Sequence, residues 1–170
     1  MRYRHSASFG KRQEFNAIAE LLRRGYDVYT TLVDDQGIDC VVRQSPSRYF
    51  DVQIKARSKD CNPKNAGHFP LIDVSEARPN YVFVFYSERA EMYWVIPSAR
   101  IVEPGFANRH KTGPNEGRYR LRLTTCTSAN EAKPRPKYAE YQNAFESVFG
   151  VPMAGQGRCT GAAPADEEGL

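Results

Sequence analysis

The segment Arg48 to Arg57 constrains this chain more than any other. Side chains alternate faces along a strand, so Phe50, Val52, Ile54 and Ala56 share one side and Tyr49, Asp51, Gln53, Lys55 and Arg57 share the other. The first set is a core face. The second is strongly polar, yet the segment is flanked by other apolar, β-rich stretches. A polar row on an interior strand marks the place where a site is expected.

Around this strand the chain reads as α/β, a central mixed β-sheet flanked by helices. Lys11 to Arg24 has helical periodicity, with Phe15, Ile18, Ala19 and Leu22 as its apolar stripe, Ser8 as a candidate cap and Gly25 as a stop. Tyr26–Leu32 and Ile38–Arg43 read as strands either side of an Asp34-Asp35-Gln36-Gly37 turn. Ser58 to His68 reads as a loop, Phe69–Val74 as a short strand, and Tyr81–Tyr86 and Met92–Ile96 as buried strands. The aromatics Tyr81, Phe83, Phe85, Tyr93 and Trp94 are assigned to the core. Ser98 to Gly117 is loop-like with one helical turn, Tyr119–Thr124 reads as an edge strand, and Lys137–Phe149 as a last helix. Residues 1–150 are expected to form one domain and the Gly-, Ala- and Pro-rich stretch 151–170 a disordered tail.

Composition narrows the function classes. At 170 residues with 41% hydrophobic content, the chain has material for a real core. No run approaches the ~18 apolar residues of a membrane span, and the N-terminus lacks the apolar stretch of a signal peptide, so a cytoplasmic protein is expected. The cysteines Cys40, Cys61, Cys126 and Cys159 are too scattered for a C-x-x-C site and are expected to be reduced. His5, His68 and His110 are also too far apart for a His-rich zinc site. Residues 1–150 hold 23 basic and 17 acidic residues, a net of +6, which suits a polyanionic partner.

Just before the two-faced strand stands Gly37-Ile38-Asp39. Phosphodiester hydrolysis needs a hard cation on the phosphate oxygens, an activated water and nearby positive charge. Asp39 offers a carboxylate, Gln53 a neutral carbonyl, the backbone carbonyl of Ile54 a third oxygen, and Lys55 an ammonium to orient the water. Magnesium accepts such an oxygen set and keeps several waters. Glu14, in a row with Ile18 and Leu21, points toward the sheet and is a second ligand or a water-mediated one. For Asp39 to face Gln53 or Lys55, cross-strand partner numbers must sum to 92 or 94. The first value implies a three-residue loop, Ser45-Pro46-Ser47.

Glu14, Gly37-Ile38-Asp39 and Gln53-Ile54-Lys55 together resemble the PD-(D/E)XK, or restriction-endonuclease-like, nuclease superfamily. The Gln-x-Lys form is similar to that of Mrr-like restriction domains and some homing endonucleases; archaeal Holliday-junction resolvases share the helix-Glu, Asp, acid-x-Lys plan. The resemblance covers about residues 9–57, with a looser echo at Tyr81–Pro97. It implies a Mg²⁺- or Mn²⁺-dependent DNA endonuclease centred on Asp39, Gln53 and Lys55, with Glu14 assisting. Two positions depart from the pattern: Ile38 precedes Asp39 where many members have Pro, and the second acid is Gln53. A neutral ligand weakens metal binding, and Asp51 on the same face is the residue that compensates.

Each of these residues also has a plain structural use. Asp39 is a turn aspartate, Glu14 a helix-dipole partner, and Lys55 a snorkelling surface lysine. Their joint spacing favours the nuclease reading. The alternatives are a catalytically weak or inactive nuclease-fold module that binds nucleic acid or serves in an assembly, and a protein-interaction domain with a fortuitous motif. Arg118, Arg120 and Arg122 share one strand face, either as a solvated edge or as a phosphate-tracking stripe. Arg57, Lys59, Lys64, His68 and the basic loop Arg109-His110-Lys111 are further candidates for backbone contacts with DNA. Without a separate DNA-reading domain, specificity is expected from DNA structure, a homodimer or a partner protein.

Overall fold

The computed structural model describes residues 3–32 and 37–152; the turn residues Asp34 to Gln36 and residues 153–170 of the expected tail lie outside the described residues. Helix α1 (Tyr3–Arg23) leads into β1 (Asp27–Thr30), β2 (Cys40–Ser45) and β3 (Arg48–Arg57). Then come β4 (His68–Ile72), β5 (Tyr81–Ser87), β6 (Met92–Pro97), α2 (Ser98–Ile101), β7 (Asn108–Arg109), β8 (Tyr119–Arg122), β9 (Thr124–Cys126), β10 (Ala132–Pro134) and α3 (Phe145–Phe149). The main sheet has the order β1-β2-β3-β5-β6. Its pairs are antiparallel except β3 with β5, which is parallel, so the sheet is mixed as expected.

Helices cover one face of this sheet. There Phe50, Val52, Ile54, Val82, Val84 and Val95 pack against Ala17 and Leu21 of α1 and Phe145 and Phe149 of α3. The other face is covered by a three-stranded sheet, β4-β8-β7. Phe83, Phe85, Trp94 and Ile96 meet Phe69, Ile72, Leu121 and Leu123 in that second core. Strand β5 is therefore buried on both sides, which explains its unbroken apolar run. A parallel pair requires a crossover, and the β3–β5 crossover carries β4, placing a strand over the polar row of β3.

Four expectations need correction. The helix begins at Tyr3, so Ser8 lies inside it and caps nothing. Among its described side chains the buried ones are Gln13, Ala17 and Leu21, while Phe15 is 60% and Leu22 53% exposed. At about 100° per residue the 13/17/21 row lies about 150° from the centre of the 15/18/19/22 stripe, so the helix presents nearly its opposite side to the sheet, and of the expected stripe Ile18 alone packs against the core. Ala17 and Leu21 pack there in one core with Phe50, Val52 and Ile54 of β3. Strand β8 is the middle strand of the second sheet, paired with both β4 and β7, and is not an edge. The last helix is broken into a 3-10 turn at Pro136–Tyr141 and the short α3. Asn143 sits between them at φ 49°, and its N–H donates to Tyr93 O at 2.9 Å, so the backbone there pairs with β6 instead of continuing the helix.

Gly25 stops α1 as expected, at φ 88°, and Tyr26 N–H closes the turn on Leu21 O at 3.2 Å. The rotation of α1 is testable. Leu21→Ala is expected to destabilise the fold by about 2–5 kcal/mol and Phe15→Ala by under about 1 kcal/mol, read from urea midpoints.

Candidate active site

Strands β2 and β3 pair as Cys40↔Val52, Val41↔Asp51, Val42↔Phe50 and Arg43↔Tyr49, so partner numbers sum to 92. That is the register the facing of Asp39 and Gln53 requires, but the ladder ends at Cys40↔Val52 and Asp39 lies outside it. The turn differs from expectation: the register shifts between Arg43 and Ser45, Ser45 pairs with Arg48, and only Pro46-Ser47 connect the strands. The bulge absorbs the residue that the three-residue loop would have held.

Asp39 stands just beyond the end of β2. Its N–H donates to Val52 O at 2.9 Å, and its Oδ2 accepts the Ile54 N–H at 2.6 Å. The carboxylate thus takes the place of the carbonyl that β2 no longer supplies. A strand residue's N–H and C=O point to the same side, so the Ile54 carbonyl also faces the Asp39 end of β2.

In the parallel ladder, Asp51, Gln53 and Lys55 lie beside Tyr81, Phe83 and Phe85. Those aromatics belong to the core under the second sheet, so the polar row emerges on that face. Burial is graded along it, with Tyr81, Phe83 and Phe85 buried and Gln53 and Lys55 half-buried. Tyr81, assigned to the core from sequence alone, also reaches the site. Its hydroxyl donates to Gln53 Oε1 at 3.4 Å. Burial first, and then the Asp39 charge, push its pKa up to about 12, so it is a neutral hydroxyl at any physiological pH. Only the register of β3 against β5 could have revealed this residue.

Gly37, at φ 70°, lets the chain pass tightly over the Gln53 side chain: a Cβ there would sit 2.5 Å from Gln53 Nε2. Asp51 shares the face but its carboxylate pairs with Arg78 at 3.0 Å. Glu14 arrives from α1, the layer on the opposite face, and pairs with Lys11. It approaches the sheet beside Cys40, whose thiol is raised to about 12 by burial first and then by Asp39 and Glu14. Such a thiol is inert at neutral pH.

Lys55, Ala56 and Arg57 form one wall of a cleft of about 340 Å³ whose other wall is Phe69, Pro70 and Leu71 of β4. Arg57 donates through Nε to His68 O at 2.7 Å and lies 5.5 Å over the Phe69 ring. The remaining basic candidates spread out. Lys59 and Lys64 are exposed in the loop after β3; Arg118, Arg120 and Arg122 are exposed on and beside β8. His110 makes a 3.0 Å ring-nitrogen contact with Pro70 O.

Among the described residues, no group of three or more His, Cys, Asp or Glu side chains gathers as a metal cage. The oxygen donors at the Asp39 end of β2 are of another kind: one carboxylate, one carboxamide and one backbone carbonyl. Cys40, Cys61 and Cys126 are free thiols, and no helix among the described residues is long and apolar enough to cross a membrane.

No family model matches the chain, and no curated protein sequence does either. The fold has a solved counterpart. The structure of a bacterial homing endonuclease, I-Ssp6803I, is similar at a TM-score of 0.54 and 18% identity, over 86% of this chain and 93% of that one. Hjc, a Holliday junction resolvase from the archaeal hyperthermophile Archaeoglobus fulgidus, aligns at a TM-score of 0.44 and 14% identity, over 74% of this chain and 90% of that one. The chain has a restriction-endonuclease-like α/β fold.

Gly37→Ala is expected to cost about 1–3 kcal/mol, since the new side chain meets both an unfavourable φ and the Gln53 amide. In ¹⁵N spectra the Gln53 side-chain NH₂ pair should move while resonances of α3 stay in place.

Proposed function

We propose that this chain is a divalent-metal-dependent endonuclease that hydrolyses DNA phosphodiester bonds. The observation that carries the reading is the register of β2 on β3. That ladder ends at Cys40↔Val52, and just outside it Asp39 Oδ2 accepts the Ile54 N–H at 2.6 Å, which ties the carboxylate to β3 between Gln53 and Lys55. The fold it shares with the homing endonuclease structure supports the same reading.

The donor set fits a hard cation such as Mg²⁺ or Mn²⁺, held by Asp39, Gln53 Oε1 and the Ile54 carbonyl and otherwise hydrated. Bound there, it would supply Lewis acidity toward a phosphate oxygen and a more acidic water. The Asp39 carboxylate is held at the edge of β3 by the Ile54 N–H, which its Oδ2 accepts at 2.6 Å. Gln53 is oriented by Tyr81 on one side and Gly37 on the other. Lys55 offers positive charge to the phosphate and positions the attacking water. Glu14 assists from the α1 side through water. Asp51 serves the site by fixing Arg78 at its border.

A second reading rests on Gln53. With a neutral amide in the second acidic position and no acidic cluster among the described residues, the chain would act as an inactive DNA-binding or assembly module of the same fold.

Plasmid nicking separates the two. With Mg²⁺ or Mn²⁺, wild type should nick supercoiled DNA, chelation should stop it, and Asp39→Ala or Lys55→Ala should each slow it by about 10²-fold or more. Cleavage indifferent to both substitutions would refute this site. No cleavage of duplex, branched or single-stranded DNA would leave the binding module.

A further inference from the structure

The second sheet turns two faces to different neighbours. Phe69, Leu121 and Leu123 point into the core. The intervening residues point out, and there His68 of β4 pairs directly with Arg122 of β8. Arg120 lies two residues along on the same side. Arg120 and Arg122 are exposed, and among the described residues no ion pair engages Arg57, Arg120 or Arg122.

His68 sits within this positive group. Its Nε2 is buried and has no hydrogen-bond partner among the described residues. Its pKa is lowered by burial first and then by Arg122, Arg57 and Arg120. Burial and the neighbouring guanidiniums disfavour the charged ring, and a polar atom without a partner sits on the strand beside the exposed Arg122 and Arg120. An anion would satisfy all of them at once, because a phosphate oxygen pairs with guanidinium forks and accepts from an imidazole N–H.

The group also has an address. Arg57 bonds the His68 carbonyl and lies two residues beyond Lys55 on the same face of β3. The cleft between Lys55–Arg57 and Phe69–Leu71 joins the two places. Lys55 and Arg57 thus lead from the proposed site to the strand that carries His68.

We propose that His68, Arg122 and Arg120 form a phosphate track that holds the nucleic-acid backbone on the outer face of the β4-β8-β7 sheet, beside the point of cleavage, with Arg57 backing it from the β3 side. This rests on the nuclease reading for its ligand, a DNA duplex, but not on catalysis. The contacts are to phosphates and carry no sequence preference.

The test uses a short fluorescent duplex, the whole chain and chelator to prevent cutting. Anisotropy titrations across a salt series give the slope of log K against log salt. Arg120→Gln/Arg122→Gln is expected to make that slope shallower by about two, equally for unrelated sequences. The matching Lys pair should restore most of it, and both variants should keep the wild-type urea midpoint. An unchanged slope in the Gln pair overturns the track, even if wild type nicks plasmid and the nuclease reading stands. A lost slope in a protein that never nicks supports the track and removes the nuclease reading. No measurable duplex binding by wild type removes the track whatever the nicking result.

Discussion

One hydrogen bond organises the candidate site, that from the Ile54 N–H to Asp39 Oδ2. Strand β2 begins at Cys40, paired with Val52, while β3 runs on to Arg57, so past Val52 that edge of β3 has no β2 partner. A buried donor left there would cost about 1–3 kcal/mol. The Asp39 carboxylate removes that cost and is itself fixed in place by doing so. The sheet needs an acceptor at this point, and the carboxylate that serves as one is thereby held at the edge where the proposed site lies.

Two cores make this edge rigid. Strand β3 gives its apolar face to α1 and α3 and its polar face to the aromatics of β5 and the β4-β8-β7 sheet. Neither Gln53 nor Lys55 can swing far, because Tyr81, Phe83 and Phe85 stand beside them. The second sheet is the element that turns a two-layer plan into three layers. It also bears the arginines that lie on the same side of the molecule as the polar row.

The sequence made the central hairpin legible because alternation on β3 is unambiguous: four apolar and five polar positions leave one possible facing. Strands β3, β5 and β6 fall where expected, within a residue at each end. The helix stripe was harder. In α1 both the 15/18/19/22 and 13/17/21 rows contain apolar residues, and periodicity cannot say which faces a sheet when Gln13 is buried and Phe15 is not. Strand β8 looked like an edge because its arginines alternate with apolar residues. An inner strand of a one-sided sheet has the same pattern, and only its pairing with β4 and β7 distinguishes them. Tyr81 was invisible as a site residue for a related reason: its neighbour Gln53 is set by a parallel register spanning 28 residues, which no local signal encodes.

The most direct test of the central claim is a Mn²⁺ titration followed by ¹⁵N NMR on wild type and Asp39→Ala. Paramagnetic broadening should centre on the Ile54 backbone amide and the Gln53 side-chain NH₂ and should vanish in the variant. Broadening scattered over surface carboxylates, or centred at Ile54 with Asp39 removed, would contradict it.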